Sequence, residues 1–144
     1  KQMTRFLLSL DEAVDLVEYA LKNGKNGEIF VRKAPASNII TLLNACSRLI
    51  NKNNNEYKII GIREGEKLHE VLINSEEFIR SIDEGDFYKI SSSAKKSYFE
   101  FFDSGKGEKL CAPYTSETTH QLNINEVEEI LRKNVDVQKF INSF

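Results

Sequence analysis

Charge of one sign is the first thing these 144 residues lack. Their 20 basic and 22 acidic side chains leave a formal net charge of −2. Nucleic-acid binders carry a basic excess, so the near-balance argues against that class of partner. Long apolar runs are missing too. No stretch approaches the ~20 residues that span a bilayer, and Lys1-Gln2-Met3-Thr4-Arg5 precedes only a short apolar patch, unlike a secretory signal. Cysteine and histidine are scarce, two of each. Cys46, Cys111, His69 and His120 stand far apart, and no pairing has zinc-ligand spacing, so no metal site is expected. Cys46 falls among the apolar positions of a predicted helix and is expected to be a small buried thiol. Two thiols suit a reducing compartment, and a cytoplasmic location is expected. Finally, the seven glycines never form G-x-G-x-x-G or G-x-x-G-x-x-G, so no strand-to-helix turn is equipped to cradle a pyrophosphate.

What is present is ordinary for a folded domain: 40% hydrophobic and 29% charged residues, in a chain long enough to bury one core. Thr4 to Leu8 reads as extended. Ser9 and Glu12 then have capping-box spacing, Leu10, Val14, Val17 and Leu21 recur at helical spacing, and Gly24 is a natural stop. Glu28 to Lys33 reads as a strand ended by Pro35. Ser37 is placed to cap a second helix with Ile39, Leu42, Leu43, Cys46, Leu49 and Ile50 on its apolar face. Asn51 to Asn55 is a polar loop. Tyr57 to Ile62 predicts a strand, Arg63 to Glu66 a turn, Lys67 to Ile73 a short helix, and Phe87 to Ile90 another strand. The signal is weak from Ser91 to Gly107, apart from the aromatic cluster Tyr98, Phe99, Phe101 and Phe102. That cluster reads as core or interface packing, because no basic stripe accompanies it as in a base-stacking platform. Asn123 or Asn125 can cap a helix bearing Val127, Ile130 and Leu131, and Val137, Phe140, Ile141 and Phe144 mark a last amphipathic segment. Strands separated by a helix indicate an α/β chain.

Three stretches together resemble one family. Met3-Thr4-Arg5-Phe6 with Ser9 to Val17, then Gly27 to Val31 with Pro35, are similar to the entry of the carboxy-terminal half of UDP-N-acetylglucosamine 4,6-dehydratases. Most specific is Lys58-Ile59-Ile60-Gly61-Ile62-Arg63-Glu64-Gly65-Glu66-Lys67-Leu68-His69-Glu70, which resembles that family's I-G-x-R-x-G-E-K-x-H-E signature. Tyr114 to Glu117, with Leu122, is similar to the tail of the capsular-polysaccharide branch, whose members can also epimerise C5. The likeness is good over residues 1–73, weaker from Tyr114 to Arg132, and residues 74–144 read as an extension.

The resemblance implies an α/β fold: the carboxy-terminal substrate-binding part of an extended short-chain dehydrogenase (Rossmann-type) fold, with the dinucleotide-binding half absent. Family members bind NADP on an amino-terminal Rossmann half, oxidise the sugar C4 hydroxyl, eliminate water across C5–C6 and reduce the product. None of Tyr19, Tyr57, Tyr88, Tyr98 and Tyr114 has a lysine four residues on, so the Tyr-x-x-x-Lys pair of that half is not in this chain. The expectation is a part that binds UDP-sugar without turning it over, with no catalytic residue of its own and the amino-terminal half as a partner.

Arg63 follows a predicted strand and precedes the Gly65 turn. A guanidinium there can give a diphosphate two parallel donors, and the resemblance implies that contact; by spacing alone the segment is equally an ordinary charged turn. Glu66 matches an acidic residue that accepts from ribose hydroxyls, a task suited to an acceptor-only carboxylate. Arg5 matches an arginine that reaches the phosphates in related enzymes, although an arginine in a short extended segment is commonly a surface residue. On a helix Glu66 and Glu70 share a face, so Glu70 can orient its neighbour. His69 fits a packing or hydrogen-bonding role better than acid–base work. Two other functions stay open: a non-catalytic assembly domain, and part of a related UDP-sugar 4-epimerase. Ile29-Phe30-Val31 is expected to be a strand buried on both faces whose sheet partner lies in the amino-terminal half. Without it the open edge is expected to drive homo-oligomerisation.

Overall fold

A computed structural model describes residues 2–50, 57–92 and 112–141. The polar run Asn51–Asn55, the aromatic cluster Tyr98–Phe102, Cys111 and Phe144 lie outside the described residues. In chain order the first elements are β1 (Thr4–Phe6), α1 (Leu10–Asn23), β2 (Ile29–Arg32), β3 (Ala36–Asn38) and α2 (Ile39–Leu49). They are followed by β4 (Val71–Ile73), α3 (Ser75–Ile79), β5 (Ser81–Asp83), β6 (Phe87–Ile90), β7 (Tyr114–Thr115), α4 (Ile124–Lys133) and α5 (Val135–Ile141). The mixed α/β character matches the expected fold class. The chain groups into two compact units: Lys1–Leu7, Pro35–Glu70 and Ser116–Phe144 make the first, Leu8–Ala34 and Val71–Thr115 the second. No Gly- or Pro-rich linker marks the crossings, so composition gave no sign of them.

In the first unit β1 pairs antiparallel with β3, Arg5 opposite Ser37. Ser37 is buried in that ladder, so the cap of α2 moves one residue on to Asn38, whose side chain accepts from the Ile40 N–H at 2.8 Å. Serine and asparagine cap equally well, which is why position decides. α2 packs on α4, and Ala45, Ser47, Leu49 and Val127 are buried. Cys46 is exposed, contrary to the expected buried thiol: each helical residue turns 100°, and burial falls on Ala45 and Leu49, one turn apart. Of the two candidate caps, Asn123 caps α4, in a full capping box with Glu126.

In the second unit β6 lies between β2 and β5 in an antiparallel sheet. α1 starts with the expected Ser9–Glu12 capping box, and its Tyr19 stacks on Phe87 with ring centroids 4.2 Å apart and meets Phe30 edge-on. Gly24 ends the helix for a reason other than handedness. Its φ is −77°, but a Cβ there would lie 2.5 Å from the Ala20 carbonyl oxygen and 3.1 Å from the Phe30 ring. The Tyr114 hydroxyl closes a two-way bond with Ala34, donating to its carbonyl and accepting from its N–H, both at 2.9 Å.

Three further expectations are corrected. Tyr57–Ile62 is not a strand; Tyr57, Ile59, Ile60 and Ile62 are exposed, and no strand pairs with them among the described residues. Lys67–Ile73 is not a helix. Its β-branched end, Val71 and Ile73, forms β4 against β7, and the Lys67 and Leu68 carbonyls are taken by the Arg5 guanidinium. β2 finds its partner inside this chain, in β6, and Ile29 is exposed. Its apolar run is the edge of a sheet, not a strand buried on both faces.

Candidate functional site

The candidate residues gather in the first unit, where β1 meets the segment from Arg63 to Glu70. That segment opens with a closed turn. Gly65 has a φ of +80°, open to glycine at little cost. The Glu66 N–H donates to the Arg63 carbonyl at 3.0 Å, and the Arg63 N–H donates back to the Glu66 carboxylate at 3.1 Å. Glu66 thus fixes the backbone at Arg63 and leaves the guanidinium alone. Among the described residues that guanidinium makes no hydrogen bond or ion pair, and Arg63 is exposed.

Arg5 is in the opposite situation. Its Nη1 donates to the carbonyls of Thr4 (2.7 Å) and Leu68 (3.3 Å), and its Nη2 to that of Lys67 (3.0 Å). Glu66 and Glu70 each place a carboxylate oxygen 3.8 Å from it. Of its three hydrogen bonds, two therefore hold Lys67 and Leu68 to β1, and the third goes to the adjoining Thr4 carbonyl. The structure brings Arg5 and Glu66 together, links Glu66 to the backbone of Arg63, and joins the two guanidinium groups by no contact.

Behind this clamp lies a polar cluster that sequence reasoning missed. The buried Thr4 hydroxyl sits 2.8 Å from His69 Nδ1 and 2.8 Å from Ser116 Oγ. Its single proton can go to only one of them, so the other must donate. Ser116, fully buried, donates to the Thr4 carbonyl at 3.2 Å and accepts from the Glu70 N–H at 2.8 Å. Glu70 closes the set by accepting the Phe6 N–H at 3.1 Å. His69 Nε2 lies 3.7 Å from Glu117. His69 and Glu70 thus serve as hydrogen-bonding groups that fasten their own segment. The only sequence signal for Ser116 was its place in the weak Tyr114–Glu117 likeness.

Beside the turn is an open recess of about 350 Å³ lined by Gln2, Met3, Ile59, Gly61, Ile62 and Leu68. Its volume falls at the lower end of small-molecule sites, and Arg63 directly follows Ile62 of its wall. An apolar recess next in the chain to an arginine turn can hold a flat or ring-shaped group while a cation from the turn meets an anion.

The displaced pKa values lie elsewhere, and each has a structural cause. Burial alone would raise the Glu12 carboxyl, but the N–H and hydroxyl of Ser9 together with Arg32 outweigh it and hold Glu12 below the usual carboxylate range. Hydrogen bonding from Lys33 at 2.6 Å lowers Asp83, and Lys89 lowers Glu84 in the same way. Donation to Glu84 raises the Tyr19 hydroxyl. Perturbed groups mark functional sites only when structural pairs do not explain them; here the pairs do. No helix among the described residues is long and apolar enough to cross a membrane.

Comparison with known proteins follows the same stretch. The family model described as polysaccharide biosynthesis protein matches residues 1–92. The UDP-glucose 4-epimerase of Rickettsia rickettsii (strain Sheila Smith) is 44% identical over 131 residues, 90% of this chain and 38% of that protein. The UDP-glucose 4-epimerase of Rickettsia prowazekii (strain Madrid E) is 42% identical over 139 residues, 95% of this chain and 40% of that protein. Among solved structures, the one described as "X-ray structure of Pen from Bacillus thuringiensis" superposes with a TM-score of 0.73 at 24% identity, over 92% of this chain and 38% of that one. At that identity the likeness speaks for the fold alone. The chain spans about two-fifths of the length of the curated relatives it matches.

Proposed function

The chain belongs to the polysaccharide biosynthesis protein family, and from that premise we propose that it is the UDP-sugar-binding part of a longer nucleotide-sugar enzyme. The carrying observation is the Arg63 turn: a guanidinium with no hydrogen bond or ion pair among the described residues, on a backbone fixed by Glu66, next in the chain to the wall of an apolar recess. In this reading Arg63 takes the diphosphate and Glu66 accepts from the ribose with the carboxylate lone pairs that the turn leaves over. Arg5 joins by exchanging a carboxylate at 3.8 Å, beyond hydrogen-bond distance, for a phosphate oxygen. The names of the Rickettsia relatives favour 4-epimerisation of a UDP-sugar as the reaction. The Ile59–Glu70 signature favours the second reading, 4,6-dehydration of UDP-N-acetylglucosamine for surface polysaccharide.

The NADP that the dehydratase resemblance implies does not fit the residues of this chain. The positive-φ glycines among the described residues, Gly27, Gly61, Gly65 and Gly85, stand singly in turns and loops, and none opens a helix as a pyrophosphate cradle does. The chain is therefore proposed to bind the sugar nucleotide and not to turn it over by itself.

Calorimetric titration with UDP, UDP-glucose and UDP-N-acetylglucosamine tests the proposal. A lost charge-assisted bond of about 1.5–3 kcal/mol makes Arg63→Ala bind roughly ten- to a hundredfold more weakly. Added salt should weaken the wild-type interaction, because exposed charges are screened. The substitution removes no hydrogen bond or ion pair among the described residues, so an unchanged fold is expected. Equal titration by both proteins would remove Arg63 from the site, and preference for one sugar would decide between the two reactions.

A further inference from the structure

Two Asn-Gly pairs follow one another between α1 and β2, Asn23-Gly24 and Asn26-Gly27. In such a pair the asparagine side chain is open to attack by the backbone nitrogen of the next residue, because glycine has no Cβ to crowd that approach. The glycine nitrogen bonds to Cγ of the asparagine and a five-membered imide forms. The carboxamide C–N bond breaks, and the glycine N–H proton leaves with the departing nitrogen as ammonia. Water then opens the imide at one of its two carbonyls. Opening at one gives aspartate; opening at the other gives isoaspartate, in which the main chain runs through the side-chain methylene. Ammonia is lost and water gained, with no oxidant, reductant or cofactor.

The fold treats the two pairs differently. Asn23 is the last residue of α1, and its side-chain amide donates to the Tyr19 carbonyl at 2.9 Å. The Gly24 N–H donates to the Ala20 carbonyl at 2.8 Å. Electrophile and nucleophile of that pair are both engaged in the helix end. Asn26 and Gly27 are exposed, and among the described residues neither the Asn26 side chain nor the Gly27 N–H makes a hydrogen bond. Their turn is closed by the residues on either side. The Glu28 N–H donates to the Lys25 carbonyl at 3.1 Å, and the Lys25 N–H donates to the Glu28 carboxylate at 2.8 Å. The reacting pair is thus presented to water on a fixed turn, with both of its groups free.

The product suits that turn poorly. Gly27 leads into β2, where Ile29 lies opposite Ile90, and a Cβ on Gly27 would stand 2.8 Å from Cβ of Ser92. Isoaspartate lengthens the main chain just before this close approach. It also leaves a new carboxylate near that of Glu28, and like charges at short range repel.

We propose that Asn26 is a site of spontaneous modification, converted to isoaspartate by attack of the Gly27 nitrogen, and that this conversion loosens the turn between α1 and β2. Asn23 is spared by the helix end. No ligand is involved, so the site stands or falls independently of the sugar-nucleotide reading.

Ageing the purified chain in mildly alkaline buffer, beside a sample unfolded in urea, tests the site. Cleavage after glutamate releases Tyr19–Glu28, which carries both pairs, and fragmentation of that peptide locates each conversion. Two hydrogen bonds must open before Asn23 reacts, so in the folded chain Asn26 should convert roughly tenfold faster. In urea the two rates should agree within about twofold, because the helix that separates them is gone. Equal rates in the folded chain, faster conversion of Asn23, or protection of both pairs overturns the site. The loosening is read by comparing aged wild type with aged Asn26→Gln, whose longer side chain must close a six-membered ring and reacts far more slowly. The urea midpoint of wild type should fall as isoaspartate accumulates, while that of Asn26→Gln holds. A wild-type midpoint that stays constant as isoaspartate accumulates refutes the loosening.

Discussion

Replacing Ser116 by alanine removes one oxygen from a position with no solvent access, and its partners differ in what they lose. The Thr4 carbonyl keeps Arg5 Nη1 at 2.7 Å, and the Thr4 hydroxyl keeps His69 at 2.8 Å. The Glu70 N–H donates to Ser116 Oγ at 2.8 Å and has no second acceptor in the cluster. A donor left unsatisfied costs about 1–3 kcal/mol when buried and the lower part of that range at this part-buried amide, and the two weakened neighbours add part of a net hydrogen bond each. The expected loss is therefore about 2–3 kcal/mol. With a urea dependence of about 1–2 kcal/mol per molar for a chain of this size, the midpoint should fall by roughly 1–2 M, read by far-ultraviolet circular dichroism. Glu117→Gln, at an exposed carboxylate 3.7 Å from His69, is the control and should stay within about 0.5 kcal/mol of wild type. A Ser116→Ala midpoint equal to wild type would mean that the cluster fastens nothing.

Acid should weaken the second unit first through Glu12. Its folded pKa lies below the ordinary value of 4.5, so its contribution is fully present above that value and is lost as the pH falls through the folded pKa. Thermal melts between pH 7 and pH 3 should show a smaller decline for Glu12→Gln than for wild type, and parallel declines would exclude Glu12 as a source. Self-association through the outer edge of β2 is the other expectation. Ile29→Lys places a charge on an exposed edge position, a substitution that natural sheets use to block pairing. Light scattering across a concentration series should show a mass increase for wild type that the variant lacks, and a wild-type monomer at high concentration would end the idea.

What the sequence made legible was local. The Ser9–Glu12 capping box closes within three residues, and so does the Arg63–Glu66 turn; the boxes of Asn74 with Glu77 and Asn123 with Glu126 have the same span. Strands β2 and β6 were readable from composition, but not that they pair with each other. The failures are long-range. Val71 and Ile73 leave the expected helix because Tyr114 and Thr115 offer a strand more than forty residues away in the chain. Tyr57–Ile62 carries a strand's composition with no ladder to join among the described residues. Cys46 misses burial by one residue's rotation. Arg5 was legible as a candidate from its resemblance, but its grip on Lys67 and Leu68 was not. His69 was read as a hydrogen-bonding group, yet its acceptor or donor, Thr4, stands 65 residues away.

The Thr4 hydroxyl also sets an order of events during folding. Its two partners stand 65 and 112 residues further along the chain, and closing a loop of the longer span costs about 4 kcal/mol of chain entropy beyond a constant. Little local structure compensates for that closure, since β1 has only three residues and its one strand partner among the described residues is β3. On a ribosome, β1 must therefore wait until Ser116 has left the exit tunnel before its last hydroxyl is satisfied. The Arg63 turn can close by itself much earlier, but the base on which it stands is one of the last parts of the molecule to become rigid.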